Sequence, residues 1–246
     1  MDVPNWIESL KADGELLADV AATTAFDPEV PGCPGWRVRD LVGHLGRVHR
    51  WARTIVADRI GEDGFGKLGE LTNSEVPEDG ALVDWFRAGH RDLVDTLVAA
   101  PADLVCFTFM PAATPLTFWA RRQAHETAVH RVDAEQAAGR PSGIDPVLAE
   151  DGVDELLTGF TPRSRKLRAA DPRRLRFSTG ERHWLLTVGP ELSVAEVDAD
   201  EPAEVTVTGP AETLYLALWN RVPWDALTVT GDDELPAFWG GTFGVR

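Results

Sequence analysis

Two segments of this chain carry residue types that bind metals. In the later segment, Glu126 and His130 lie four residues apart within a stretch of helical periodicity, so their side chains share one face of a helix. A carboxylate and an imidazole at this spacing can hold one divalent ion from a rigid backbone. The same spacing is typical of a solvated polar face, and this helix alone favours that second interpretation.

A third ligand could come from the earlier segment, which contains His44 and His49. Residues five apart point about 140° away from each other on a helix, so one ion cannot take both. His49 falls near the middle of the apolar stripe and His44 on its flank. The periodicity leaves the choice open, because a histidine beside an apolar face is usually a core residue with a hydrogen-bond partner. His90 and His183 are expected to be ordinary histidines.

Four helices are predicted to position these side chains. Apolar residues recur at i, i+3, i+4 and i+7 in the segments 4–24, 38–60, 82–98 and 116–138. Helices of this length, joined by loops that contain glycine and proline, are typical of a helix bundle.

The sequence changes character near residue 140. After one more predicted helix, at about 146–160, short β-rich segments alternate with turn residues, and the first two form a plausible hairpin around Gly180. The predicted strands are 174–179, 183–188, 191–197, 204–208 and 226–230, with helices at 210–219 and 233–239. We therefore predict an α+β protein of two domains, a helical bundle over 1–140 and a small α+β domain over 141–246.

Composition excludes several classes of partner. Lys and Arg total 24 against 40 Asp and Glu, and the net charge of −16 argues against nucleic-acid binding and against docking on anionic lipid. No apolar run is long enough for a membrane span, and the N-terminal residues do not resemble a signal peptide, so we expect a cytoplasmic protein. The two cysteines, Cys33 and Cys106, form no CxxC pair, zinc-ribbon spacing or disulfide framework. We expect them to be buried or idle, and a reactive thiol is the alternative.

Two stretches resemble a known family. CPGWRVRDLVGHLGRVHRWA (33–52) and RRQAHETAVHRVDAE (121–135) are similar to the mycothiol-dependent maleylpyruvate isomerase family, which is part of the DinB-like four-helix metalloproteins. The stretches 208–221 and 226–239 resemble the family's second domain, which is similar to sterol-carrier folds. The resemblance thus extends over nearly the whole chain.

The resemblance implies a site. It gives His44, Glu126 and His130 as ligands of a divalent metal. Two histidines and a carboxylate suit Zn²⁺ with an open position, although manganese, nickel or iron also fit these ligand types. It further implies that Arg221 is a catalytic residue in a cleft between the domains, where it would bind a carboxylate. The alternative for Arg221 is a favourable interaction with the C-terminal end of its helix.

The resemblance also implies a chemistry. Mycothiol would bind the metal as a thiolate and attack a small-molecule electrophile. In a maleylpyruvate isomerase-like reaction, the thiolate adds to a conjugated double bond, the new single bond rotates, and elimination gives the trans isomer. One alternative is a mycothiol S-transferase for xenobiotic or other electrophiles, in which the adduct is the product. Another is a non-catalytic, metal- or ligand-binding regulatory protein. The substrate and the oligomeric state stay open.

Overall fold

The computed structural model describes residues 1–64, 66, 69, 75–231 and 234–242 of the chain. The chain divides into two compact units, Met1–Gly143 and Ile144–Arg246. The first unit is helical and the second combines a sheet with helices, so the predicted two-domain α+β architecture is confirmed. None of the helices in the described ranges is long and apolar enough to cross a membrane.

Four long helices form the first unit: α1 (Val3–Thr23), α2 (Val38–Ala57), α3 (Asp79–Ala99) and α4 (Pro115–Ala137). The start of α4 follows from its sequence, because Thr114 Oγ1 accepts a hydrogen bond from the Thr117 N–H at 3.1 Å and a proline follows the cap. The end of α2 differs from the predicted residue 60. Arg59 adopts a left-handed conformation, with φ of 52°, which terminates the helix earlier.

The α4 helix is buried over most of its length, because it contacts α1, α2 and α3. The helical pattern alone favoured a solvated polar face, and this is wrong. The polar residues Arg122, Gln123, His125, His130 and Asp133 are all buried. Such residues are tolerated in a core when they are paired. Arg131, for example, donates from Nε to Asp13 Oδ1 at 3.0 Å and from Nη1 to Glu135 Oε2 at 2.7 Å.

The second unit begins with α5 (Pro146–Glu155), which continues through a π-helical turn, Leu156–Phe160, and a 3₁₀ turn, Thr161–Arg163. The later helices are α6 (Ala211–Leu218) and α7 (Leu235–Thr242), and residue 233, predicted to start the last helix, lies outside the described residues. The α5 and α6 helices pack closely at Gly152, where an added Cβ would lie 2.5 Å from Tyr215 Cζ.

Five strands form one sheet in the order β3–β2–β1–β4–β5. They are β1 (Arg173–Ser178), β2 (His183–Val188), β3 (Leu192–Glu196), β4 (Val205–Thr208) and β5 (Thr228–Thr230). The predicted hairpin is present: Ser178 pairs with His183, and Gly180 supplies the positive φ of 98° in the turn. The β1 and β4 strands are parallel. The last strand is shorter than predicted, because Trp224–Ala226 forms a 3₁₀ turn.

A pair of buried histidines joins three helices of the first unit. The rings of His49 and His90 are 5.5 Å apart, and His90 Nε2 donates to the Leu10 carbonyl at 3.1 Å. Burial lowers the pKa of His90, although the hydrogen bond to Leu10 and the charge of Glu15 oppose this effect. Burial and the charge of His90 hold the pKa of His49 well below its usual value. Both rings are therefore neutral in the folded protein near neutral pH.

We expect this pair to make the first unit sensitive to acid. Unfolded histidine takes up a proton below about pH 6.5, whereas the buried rings do so only at a lower pH, so stability falls as the pH drops below this value. His90→Asn should flatten the fall by at most about 1.4 kcal/mol per pH unit. Urea unfolding at several pH values between neutral and mildly acidic measures the slope. Parallel curves for the variant and the wild type would contradict the prediction.

Candidate metal centre

Three side chains from two helices converge on one point. His44 of α2 and Glu126 and His130 of α4 bring their ligand atoms within 4.8 Å of one another. His44 Nε2 lies 3.5 Å from Glu126 Oε1, and His130 Nε2 lies 3.4 Å from the same oxygen. Ligands about 2.1 Å from a tetrahedral ion lie about 3.4 Å from each other, so these distances fit a zinc-sized ion.

The structure separates the two histidines between which periodicity could not choose. His44 faces Glu126, and a third of its side chain is exposed. His49 is fully buried, and its Nε2 lies 2.9 Å from Thr127 Oγ1, so its side chain is a hydrogen-bonded core residue. His44, Glu126 and His130 are therefore brought together, and His49 lies outside this group.

Asp133 fixes the orientation of the His130 ring. Its Oδ2 lies 2.9 Å from His130 Nδ1, and the aspartate is fully buried. A hydrogen bond at Nδ1 leaves Nε2 as the atom that faces Glu126, as in metal sites where a carboxylate holds the far side of a ligating histidine. No role was predicted for Asp133, although its i, i+3 spacing from His130 is a signal for this contact.

Cys33 extends the same group of contacts. Its Sγ donates to Asp133 Oδ2 at 3.4 Å, so this thiol lies beside the candidate centre. Cys33, His130 and Asp133 also have ligand atoms within 4.8 Å of one another. The 2.9 Å distance between His130 Nδ1 and Asp133 Oδ2 is that of a hydrogen bond. We therefore infer that Cys33 and Asp133 orient His130 and do not form a second metal site.

Arg122 lies one turn before Glu126 on α4. Its Nη2 donates to Glu126 Oε2 at 3.1 Å, and the arginine is only 3% exposed. The two oxygens of Glu126 therefore have different neighbours: Oε1 faces two imidazoles and Oε2 faces a guanidinium. Because Arg122 and Glu126 share a helix, their separation is fixed by the backbone.

An aromatic side chain forms one wall of the site. The ring of Trp36 lies 4.8 Å from that of His44 and stacks on His130 at 6.2 Å. Its loop is held by backbone hydrogen bonds, from the Val30 N–H to the Trp36 carbonyl and from the Trp36 N–H to the Cys33 carbonyl, each 2.9 Å. The side chains of His44 and Glu126 keep 34% and 24% of their surface exposed, so both are partly open to solvent.

The surrounding groups shift two pKa values in opposite directions. Burial alone would raise the pKa of Glu126, but hydrogen bonds with His130 and His44, and the charges of His130 and Arg122, hold it well below its usual range. Burial alone would lower the pKa of His130, yet its contacts with Asp133, Cys33 and Glu126 raise it well above the usual value. Glu126 is thus ionised near neutral pH, as a metal ligand must be.

Arg221 lies in the second unit, just after α6. Asn220 adopts a left-handed conformation with φ of 61°, and the Arg221 N–H donates to the Leu216 carbonyl at 2.8 Å. The guanidinium Nη1 donates to the Trp219 carbonyl at 2.7 Å. This contact is of the kind expected when an arginine satisfies carbonyl groups at a helix end.

Comparison with known proteins gives two family matches and a common fold. A family model described as the mycothiol maleylpyruvate isomerase N-terminal domain matches residues 9–135, and the corresponding C-terminal domain model matches residues 147–238. A crystal structure of a mycothiol-dependent maleylpyruvate isomerase aligns with a TM-score of 0.60 and 12% identity, over 94% of this chain and 93% of that one. A histidine-to-alanine mutant of such an enzyme aligns with a TM-score of 0.62, at the same identity and coverage. A search of curated proteins finds no match. At this identity, the structural likenesses establish the fold.

We expect His44→Ala and His130→Ala each to abolish most binding of divalent metal while the chain stays folded. The loss of zinc affinity should exceed the roughly 10- to 100-fold cost of removing a hydrogen-bond partner of a ligand. Zinc affinity is measured by competition with a chromophoric chelator, and folding by circular dichroism.

His49→Ala is the matched control, because this histidine lies on the same helix but outside the group, and it should keep its metal. Full metal content in His130→Ala would contradict the assignment. Loss of metal from His49→Ala, with His44→Ala unaffected, would show that the wrong histidine of α2 has been chosen.

Proposed function

Because this chain belongs to the mycothiol maleylpyruvate isomerase family, we propose that it is a metal-dependent enzyme that uses mycothiol to isomerise a small electrophile of the maleylpyruvate type. The observation that carries the proposal is the convergence of His44 Nε2 and His130 Nε2 on Glu126 Oε1, at 3.5 and 3.4 Å. These three atoms are ligands of the type and spacing that zinc takes.

The proposed ligands are His44, Glu126 and His130. A bound divalent metal, of which zinc suits these ligands best, would supply a positive charge that lowers the pKa of a thiol at its open position. Each residue then has a separate task. Glu126 contributes the negative charge that attracts the cation, and Asp133 keeps Nε2 of His130 directed at Glu126 Oε1.

The proposed reaction leaves the thiol unchanged. The thiolate sulfur adds to one carbon of a conjugated cis double bond, and the displaced electron pair moves into the adjacent carbonyl. The former double bond is then single and rotates, and return of the electron pair expels the same thiolate and leaves the trans isomer. The chain needs no cysteine nucleophile of its own for these steps, which agrees with its content of two cysteines.

We also propose that Arg221 binds an anionic group of the substrate or of mycothiol. In a protein with a net charge of −16, an anionic substrate is repelled at long range, so a cation that binds it would offset this repulsion. Arginine suits this task because its planar fork binds a carboxylate in one orientation. The hydrogen bond from Nη1 to the Trp219 carbonyl holds one terminal nitrogen of this guanidinium against the end of α6.

An assay with two substrates tests the activity. The zinc-loaded protein is mixed with mycothiol and either maleylpyruvate or a simple model electrophile, and both the free thiol and the substrate isomers are followed. We expect conversion of maleylpyruvate to the trans isomer without net loss of thiol, and no reaction in His44→Ala.

The other outcomes identify the alternative functions. Loss of one thiol for each electrophile consumed would make the protein an S-transferase. Neither reaction, in a protein that retains its zinc, would leave a binding or regulatory function and overturn the proposal.

For Arg221, we expect Arg221→Lys to lower the turnover number or the substrate affinity while zinc content stays unchanged. A lysine keeps a cation near the helix end but cannot hold a carboxylate through two parallel hydrogen bonds. Steady-state kinetics and thermal unfolding are measured together. Unaltered kinetics with an altered unfolding temperature would show that Arg221 serves only the end of α6.

A further inference from the structure

The two oxygens of Glu126 are not equivalent. Both imidazole nitrogens approach Oε1, at 3.5 Å from His44 and 3.4 Å from His130. The other oxygen, Oε2, accepts a hydrogen bond from Arg122 Nη2 at 3.1 Å. A carboxylate can bind a cation through one oxygen or through both, so a partner that holds only one of them affects how the ion is bound.

Arg122 is well placed to act in this way. It is 3% exposed and lies one helical turn before Glu126, so the guanidinium has little freedom to leave. A buried arginine stays charged and needs an acceptor, and Oε2 of Glu126 meets that need. The hydrogen bond is charge-assisted at both ends, which makes it one of the stronger kinds in proteins.

We infer that Arg122 is a positioning residue that keeps Glu126 a one-oxygen ligand, so that a coordination position stays open for the thiol. This inference rests on the proposed function. Without the guanidinium, Oε2 would be an anionic oxygen with its nearest cation at the neighbouring metal position, and it would rotate toward that position. The carboxylate would then compete with the incoming thiol for the open position.

A first experiment needs no variant. The zinc-loaded wild-type protein is crystallised, or its zinc environment is measured by X-ray absorption. We expect Glu126 Oε1 at about 2.0–2.2 Å from zinc and Oε2 outside bonding distance, still hydrogen-bonded to Arg122. Two zinc–oxygen bonds from Glu126 would overturn the inference.

A second experiment uses cobalt as a spectroscopic probe. The Co²⁺-loaded wild type should show the intense visible bands of a four-coordinate ion, and added N-acetylcysteine should produce a sulfur-to-cobalt charge-transfer band. In Arg122→Met we expect weaker visible bands and a thiol affinity lower by about 10- to 100-fold. Arg122→Lys, which retains a cation and a donor, should recover most of both signals.

Arg121→Met is the matched control. This arginine is the neighbour of Arg122 on α4, but its guanidinium lies 5.9 Å from the ring of Trp6, and its variant should behave as the wild type. Unchanged bands and unchanged thiol affinity in Arg122→Met would overturn the inference. If that variant does not fold, the zinc environment of the wild type decides alone.

The outcomes also separate this inference from the proposed function. A wild-type protein that binds no Co²⁺, or a His44→Ala protein with the full cobalt spectrum, would overturn the metal site itself. A wild-type spectrum that depends on His44 but not on Arg122 would overturn only the role given to Arg122.

Discussion

A carboxylate that is largely enclosed by protein needs a donor or a cation at each oxygen, and Glu126 imposes this requirement on the site. Three of the groups involved, Arg122, Glu126 and His130, are spaced four residues apart on α4, so their alignment follows from the helix. Of the three proposed ligands, His44 alone comes from a different helix, α2. The site therefore depends on one tertiary condition, which is the rotation of α2 against α4.

The opposite side of α2 helps to set that rotation. Gly46 leaves room for Trp85 of α3, because a Cβ there would lie 2.2 Å from Trp85 Cζ3. Arg50 then covers the same tryptophan at 3.8 Å from its ring and donates to the Trp85 carbonyl at 2.7 Å. This contact fixes α2 on α3, while the buried His49–Thr127 hydrogen bond fixes it on α4. With both contacts in place, His44 is directed at Glu126.

The local sequence pattern predicted the helices and strands well, but it predicted the burial of their side chains poorly. The four long helices and the hairpin at Gly180 follow from hydrophobic spacing and turn residues, which act locally. The burial of the polar residues on α4 could not be predicted in this way, because it depends on contacts with three other helices. Likewise, spacing alone could not choose between His44 and His49 as the third metal ligand. Resemblance to a family selected His44, and the structure brings it to Glu126. From the sequence, Arg122 and Asp133 could be related to Glu126 and His130 only by their spacing on the helix. The same spacing is also typical of a solvated polar face.

The candidate centre combines helices and a loop, which differ in how freely their side chains can be substituted. The three proposed ligands lie on helices of the bundle, so their positions are set by the packing of those helices. Trp36 and Cys33, in contrast, lie on the loop before α2, which backbone hydrogen bonds help to hold. A loop on a rigid scaffold can vary its side chains without moving the ligands. On the proposed function, the same ligand group could serve different electrophiles, since Trp36 of this loop lies against His44 and His130. On the proposed function, this separation would explain why the ligand residues indicate thiol and metal chemistry, whereas the identity of the electrophile would depend on residues outside the ligand motif.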